Sequence, residues 1–466
     1  MRFTSIHTVI AAGALLVAGT VAVQAADPEI EELKTQIKAL QQHVTELEQR
    51  GIRPTSLPGT NAPNVVTFAP RALEIIGHAS QVEDRGNLND DDQVAAPRPN
   101  DLTLDPKYRG FIPIPNTPAL LKFNAKPRVD FTSDSRNSGN PDRFVTAQIP
   151  VKGQSGFGGS EVFNVNARGS QLRLDARAPE LPGNFRFYYE NDFFGSGSGM
   201  QYRLKYLYGQ YYNFTVGQAS SVFQDPDVWP DTVDYEGPNG GILTRRPLVR
   251  YTWQMDDHWQ LNVGVEQPSS EVSSTNSITQ VNRAPDGGFN VRWEDKKFGH
   301  VQAGAIFRDV GARGAGVGDQ NVFGWGLTLA TSLKTVDQDT VQGQVTYGKG
   351  TFKYCNDDFV NNDAAYDSSG DLEALPWFGA MVGYTHYWAP RWRSTVSYGF
   401  VNIENDPSQG PDAYHQTQYA SLNLIYQMRE HLKLGLEGLY GSKQTQDGNN
   451  GDVWRIQMSM VWSLFD

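Results

Sequence analysis

The sequence predicts an all-β fold, a transmembrane antiparallel β-barrel of about 16 strands, preceded by an N-terminal α-helical coiled-coil segment. Three observations carry this. An export peptide opens the chain, period-two apolar alternation recurs from about residue 120 to the end, and the connections between those stretches alternate between short and long. Beyond the export peptide no run approaches the roughly 18 apolar residues of a spanning helix. Strands closed into a barrel can still cross a bilayer, because closure satisfies every backbone donor and acceptor without water.

Residues 1–25 read as a signal peptide. Arg2 precedes the apolar run VIAAGALLVAGTVAV, and VQA ending at Ala25 suits a small-residue cleavage site. The mature chain is therefore exported, and its one cysteine, Cys355, allows no internal disulfide. Residues 26–50 place Ile30, Leu33, Ile37, Leu40, Val44 and Leu47 at spacings of three and four. That is a heptad seam, expected in the periplasm, where it draws chains together or ties the barrel to the cell wall. Residues 51–117 turn to breakers and charge, as in GIRPTSLPGTNAP and APRPND, and read as a linker.

From 118 to 466 the period is two. In the closing stretch, Trp454, Ile456, Met458, Met460, Trp462 and Leu464 share one face, and Arg455, Gln457, Ser459 and Ser463 the other. Strand centres fall near residues 125, 170, 187, 205, 215, 249, 262, 291, 304, 327, 344, 382, 397, 421, 436 and 459. Short turns such as MDDHW, EDKK, WAPRW and MREH alternate with long polar segments at 133–160, 224–242, 267–287, 309–320, 349–375 and 403–414. Outer-membrane barrels show this asymmetry. Trp253 with Trp259, Trp388 with Trp392 and Trp293 with Phe298 flank short turns, as rings do at headgroup level.

If the apolar phase meets lipid, the other phase lines a lumen. There the charge reverses from the overall −12. Lys126, Arg128, Arg168, Arg173, Arg203, Arg246, Arg250 and Arg455 are the expected pore-lining and substrate-binding set, on strands that meet where the last joins the first. Like charges in a low-dielectric wall concentrate anions, and Arg holds carboxylates bidentately. The segment 224–242 supplies Asp225, Asp227, Asp231, Asp234 and Glu236. Folded inward, it sets acid against base across the gap.

GFIPIPNTPALLKFNAKPRVDF at the first strand and VGQASSVFQDPDVWPDTVDYEGPNG after the fifth resemble the DcaP-like outer-membrane porins. The resemblance implies a homotrimer of sixteen-stranded barrels in the bacterial outer membrane, among its lipids and lipopolysaccharide, passing small anionic solutes such as dicarboxylates. It implies that Asp225, Trp229, Asp234 and Glu236 belong to a constriction loop. The chain departs from such barrels in its end, where Asp466 follows Phe465.

Two other readings of the barrel are a sugar porin, with Tyr188, Trp377 and Tyr387 as a stacking track, and a wall-tethering structural barrel. Catalysis is not expected, since His258, His300, His386, His415 and His431 are scattered without nucleophile or metal-ligand spacing. No cofactor, metal or nucleic acid is expected either.

Overall fold

The computed structural model describes residues 111–464, apart from 115, 180, 184, 275–276, 315–317 and 361. The signal peptide, the 26–50 seam, nearly all of the linker and the last two residues lie outside the described residues. The barrel is part of a compact unit spanning Pro70–Asp466.

Alternation along the chain becomes a ring of antiparallel strands. They are β1 (Ile112–Pro113), β2 (Leu120–Lys126), β3 (Arg128–Asp134), β4 (Val162–Asn166), β5 (Gln171–Ala178), β6 (Phe185–Asp192), β7 (Arg203–Tyr211), β8 (Phe214–Ser220), β9 (Arg245–Gln254) and β10 (Trp259–Glu266). After the short β11 (Val272–Ser273) come β12 (Ile278–Val281), β13 (Asp286–Asp295), β14 (Gly299–Gly314), β15 (Gly318–Lys334) and β16 (Thr340–Lys349). β17 (Ala364–Tyr366) and β18 (Leu372–Ala374) precede β19 (Pro376–Ala389), β20 (Trp392–Ile403), β21 (Tyr414–Arg429), β22 (Leu432–Thr445) and β23 (Asn450–Trp462). Neighbours pair antiparallel around the ring, and β23 pairs with β3, with Ser459 opposite Asp130. The ring therefore has no open edge.

The described chain is cut more finely than the periodicity predicts. The main sheet holds 20 strands, and β11, β17 and β18 form a separate three-stranded sheet. The physical reason is visible at Pro127, which cannot donate to a ladder and splits β2 from β3. Their partners β5 and β4 are split at the matching place. In the same way β12 and β13 pair with one strand, β14. A second difference concerns 309–320, expected as a long polar loop. β14 and β15 instead run paired through that region to Gly314 and Gly318.

The two faces of each strand separate as the phase dictates. In β23, Trp454, Ile456, Met458, Met460 and Trp462 are exposed on the outside, while Arg455, Gln457 and Ser459 are buried within. Trp253, Trp259, Phe298, Trp388 and Trp392 are exposed at strand ends beside short turns. A polar interior does not follow everywhere, however. Phe223, Ile242, Phe352, Tyr354, Trp377, Val401, Ile403 and Tyr414 form an apolar cluster inside the ring, built where long connections fold against inward wall residues. Phe144 and Ile149 pack on Tyr419, Leu439 and Val453 in the same way.

Candidate functional site

The connection from β8 to β9 is what shapes the interior. Asp225, Val228, Asp231, Val233, Asp234 and Ile242 are all buried, so the segment is not a solvated outer loop. The Arg393 guanidinium pairs with Asp231, the Asn423 amide donates to the Asp231 carbonyl at 2.7 Å, and the Glu437 carboxylate accepts from the Asp234 N–H. On the adjoining strands β23 and β3, Gln457 and Arg128 donate to the Val233 carbonyl. Two wall glycines admit the segment. A Cβ at Gly383 would stand 2.5 Å from Pro230, and one at Gly399 would stand 2.3 Å from the Asn239 amide oxygen.

Between this segment and the wall lies a cavity of about 240 Å³. Five cations line it, Arg143, Arg203, Lys205, Arg245 and Lys353, against two acids, Glu236 and Asp358. Trp229, Tyr235 and Phe359 give it ring surface. Four of the cations have carboxylate partners: Arg143 with Glu236 at 2.8 Å, Arg203 with Asp192, Lys205 with Glu190, and Lys353 with Glu271 and Asp358. Arg245 has none; its guanidinium sits 5.1 Å from the centre of the Tyr206 ring. Among the described residues no carboxylate lies within ion-pair distance of Arg245, although Glu190 acts on it from farther off.

Of the twelve residues expected from sequence, the structure brings Arg203, Trp229 and Glu236 to this cavity. The others lie elsewhere on the wall or loop, most with an acid beside them. Arg128 pairs with Asp130 at 2.9 Å, Arg168 with Asp142 at 2.8 Å, Arg173 with Glu190 at 3.2 Å, Arg246 with Asp286 at 3.8 Å and Arg455 with Asp134. Lys126 is buried at the end of β2, and Arg250 lines a smaller cavity. Asp234 is held by loop and wall contacts away from the open space. Most of the expected basic residues thus stand in ion pairs, with local excesses of positive charge.

Arg245 was missed because it precedes the inward Arg246 by one position and so falls on the outward phase of β9. Lys205 and Tyr206 are both buried because a bulge in β7 leaves Lys205 unpaired between Tyr206 and Leu204. The expected sugar track is also not assembled. Trp377 is sealed in the apolar cluster with its Nε1 donating to Thr351, while Tyr188 packs against Tyr206 and Tyr208.

Asp225, Asp227 and His300 approach one another closely enough to suggest a cation site. The Arg292 guanidinium already occupies that position, 3.2 Å from Asp225 and 2.7 Å from Asp227. Burial alone would raise the Asp225 carboxyl, but His300 at 2.8 Å and Arg292 hold it down at about 2. These groups anchor the loop to the wall.

Asp234 and Asp357 behave oppositely. Burial pushes each from 3.8 up to about 6, with Arg455 opposing and Glu236 adding to the shift at Asp234. Asp357 stays high although Thr146, Tyr414 and Thr417 all donate to it. A folded-state value above the unfolded one gives stability that is complete below about pH 4 and is lost as pH rises through 6. Two units correspond to about 3 kcal/mol per group at most. Amide exchange in 224–242, corrected for intrinsic rates, is therefore expected to be slower at pH 5 than at pH 8. Asp234→Asn should flatten that difference, and an unchanged pH profile would contradict the assignment.

A family model described as DcaP outer membrane protein matches residues 76–463. The chain belongs to the DcaP outer membrane protein family. Membership makes it an outer-membrane channel protein, and the family's ring of strands can be compared with solved structures. The outer membrane channel DcaP of Acinetobacter baumannii is 21% identical, with 76% of this chain and 99% of that one covered and a TM-score of 0.68. An anion-selective porin from Comamonas acidovorans is 10% identical over 74% of this chain and 100% of that one, with a TM-score of 0.52. No curated protein sequence matches the chain significantly.

Proposed function

We propose that this protein is a porin whose excess of positive charge at the constriction favours passive diffusion of small negatively charged solutes, dicarboxylates among them. The observation that carries the reading is Arg245, a cation without a carboxylate partner on the 240 Å³ cavity where the inward segment narrows the interior. In so narrow a space, partly screened from bulk water, one such charge acts across the cavity. The segment carrying Asp225, Trp229, Asp234 and Glu236 is the constriction loop in this reading.

The barrel then has sixteen membrane passes, with β2 and β3, β4 and β5, and β12 and β13 each counted as one interrupted pass and the two-residue β1 left out. Assembly as a homotrimer among outer-membrane lipids and lipopolysaccharide, with the 26–50 seam in the periplasm, completes the proposal. The proposal concerns transport without catalysis.

Reconstitution in a planar bilayer tests it. Conductance is expected to close in three steps, with a reversal potential set by anions at neutral pH. Cation preference would overturn the solute reading. Liposome swelling should be faster with a dicarboxylate than with a disaccharide; the reverse order would favour the sugar reading.

A further inference from the structure

A second cavity lies behind the root of the inward loop, between Gln224 and Pro226 on one side and the wall strands β7 to β10, β13 and β14 on the other. It has a volume of about 40 Å³, and no residue lines both it and the larger cavity. Its one uncompensated charge is Arg250, which is 7% exposed. Nη1 of Arg250 donates to the Ser220 carbonyl at a long 3.4 Å, and its Nε has no partner. Among the described residues, the other buried arginines have a carboxylate within ion-pair distance, as Arg128, Arg292, Arg308 and Arg455 do. The nearby acid, Glu266, is engaged with Ser221 at 2.8 Å and Tyr354 at 2.6 Å. Arg292, also on this cavity, is spent on Asp225, Asp227 and Glu294.

An isolated buried charge costs several kcal/mol unless something of opposite sign reaches it. The remaining wall of the cavity is amide, from Gln260, Asn262, Asn290 and Gln302. Side-chain amides can donate to an anion without charge of their own. A water needs about 10–15 Å³ of such space, so 40 Å³ suits a single small ion with a water. We propose that Arg250 binds a resident, halide-sized monovalent inorganic anion in this amide-lined cavity, which joins wall to loop and lies apart from the permeating solutes.

Crystals of the full chain grown in bromide test this by anomalous scattering. One bromide peak per chain is expected in contact with the Arg250 guanidinium, and Arg250→Gln should abolish it. No peak in the unmodified protein would overturn the proposal, as would a peak that persists at the same place in the variant. Should Arg250→Gln fail to fold, a second measurement on the unmodified protein decides. Its melting temperature is expected to rise saturably as chloride replaces gluconate at constant ionic strength; a flat response would overturn the site.

Discussion

Arg308→Ala is expected to lower stability by about 3–5 kcal/mol, the range for removing one partner of a buried pair. Arg308 is buried, and its guanidinium is 2.9 Å from Asp286 and 2.8 Å from Asp363. It also donates to the carbonyls of Gly350 at 3.0 Å and Ser269 at 2.6 Å. One side chain thus fastens the connection after β10 and the connection after β16 to the wall. Truncation leaves two carboxylates and two carbonyls without their donor in a dry place. The conversion temperature of the folded band on unheated gels should fall sharply, and Arg308→Lys should recover part of it by restoring charge without the fork. A loss under about 1 kcal/mol would mean that water reaches the cluster.

Arg245→Glu is expected to reverse ion selectivity. At a constriction partly open to water, one unit charge separates a passing anion from a passing cation by about 1 kcal/mol. Arg245→Gln should therefore lower the anion-to-cation permeability ratio roughly fivefold, and Arg245→Glu on the order of twentyfold. Reversal potentials across a salt gradient read both. Because no carboxylate depends on Arg245 for its ion pair, the change should act mainly on the field, at the cost of the contact with the Tyr206 ring. An unchanged ratio in the Glu variant would sink the assignment of the 240 Å³ cavity to the permeation path.

Much of the wall could be read from the chain because the lipid-facing phase runs clear along strands such as the last, where Trp454 to Trp462 are exposed at every second residue. The inner phase is harder. An inward side chain can meet water, an ion partner or a folded loop, and local spacing does not say which. Asp130 stands two positions from Arg128 and Glu294 two from Arg292, so those pairs were accessible from spacing alone. Arg455 with Asp134 joins the two ends of the barrel, and no local pattern foretells it. Val401 and Ile403 are inward and apolar because distant loop residues cover them. The one local hint was small residues on the inner phase: Gly383 and Gly399 mark where backbone must enter. Arg245 escaped because the end of a strand relaxes the alternation that the argument used.

The Val233 carbonyl accepts hydrogen bonds from Arg128 on β3 and from Gln457 on β23, the two strands whose pairing completes the ring. Its grip on the loop therefore exists only after the first and last strands have met. During biogenesis, an incompletely zipped cylinder would leave the segment held by Arg393, Asn423 and Glu437 but without this grip at Val233. The same carbonyl thereby makes circular closure a precondition for a correctly gauged aperture.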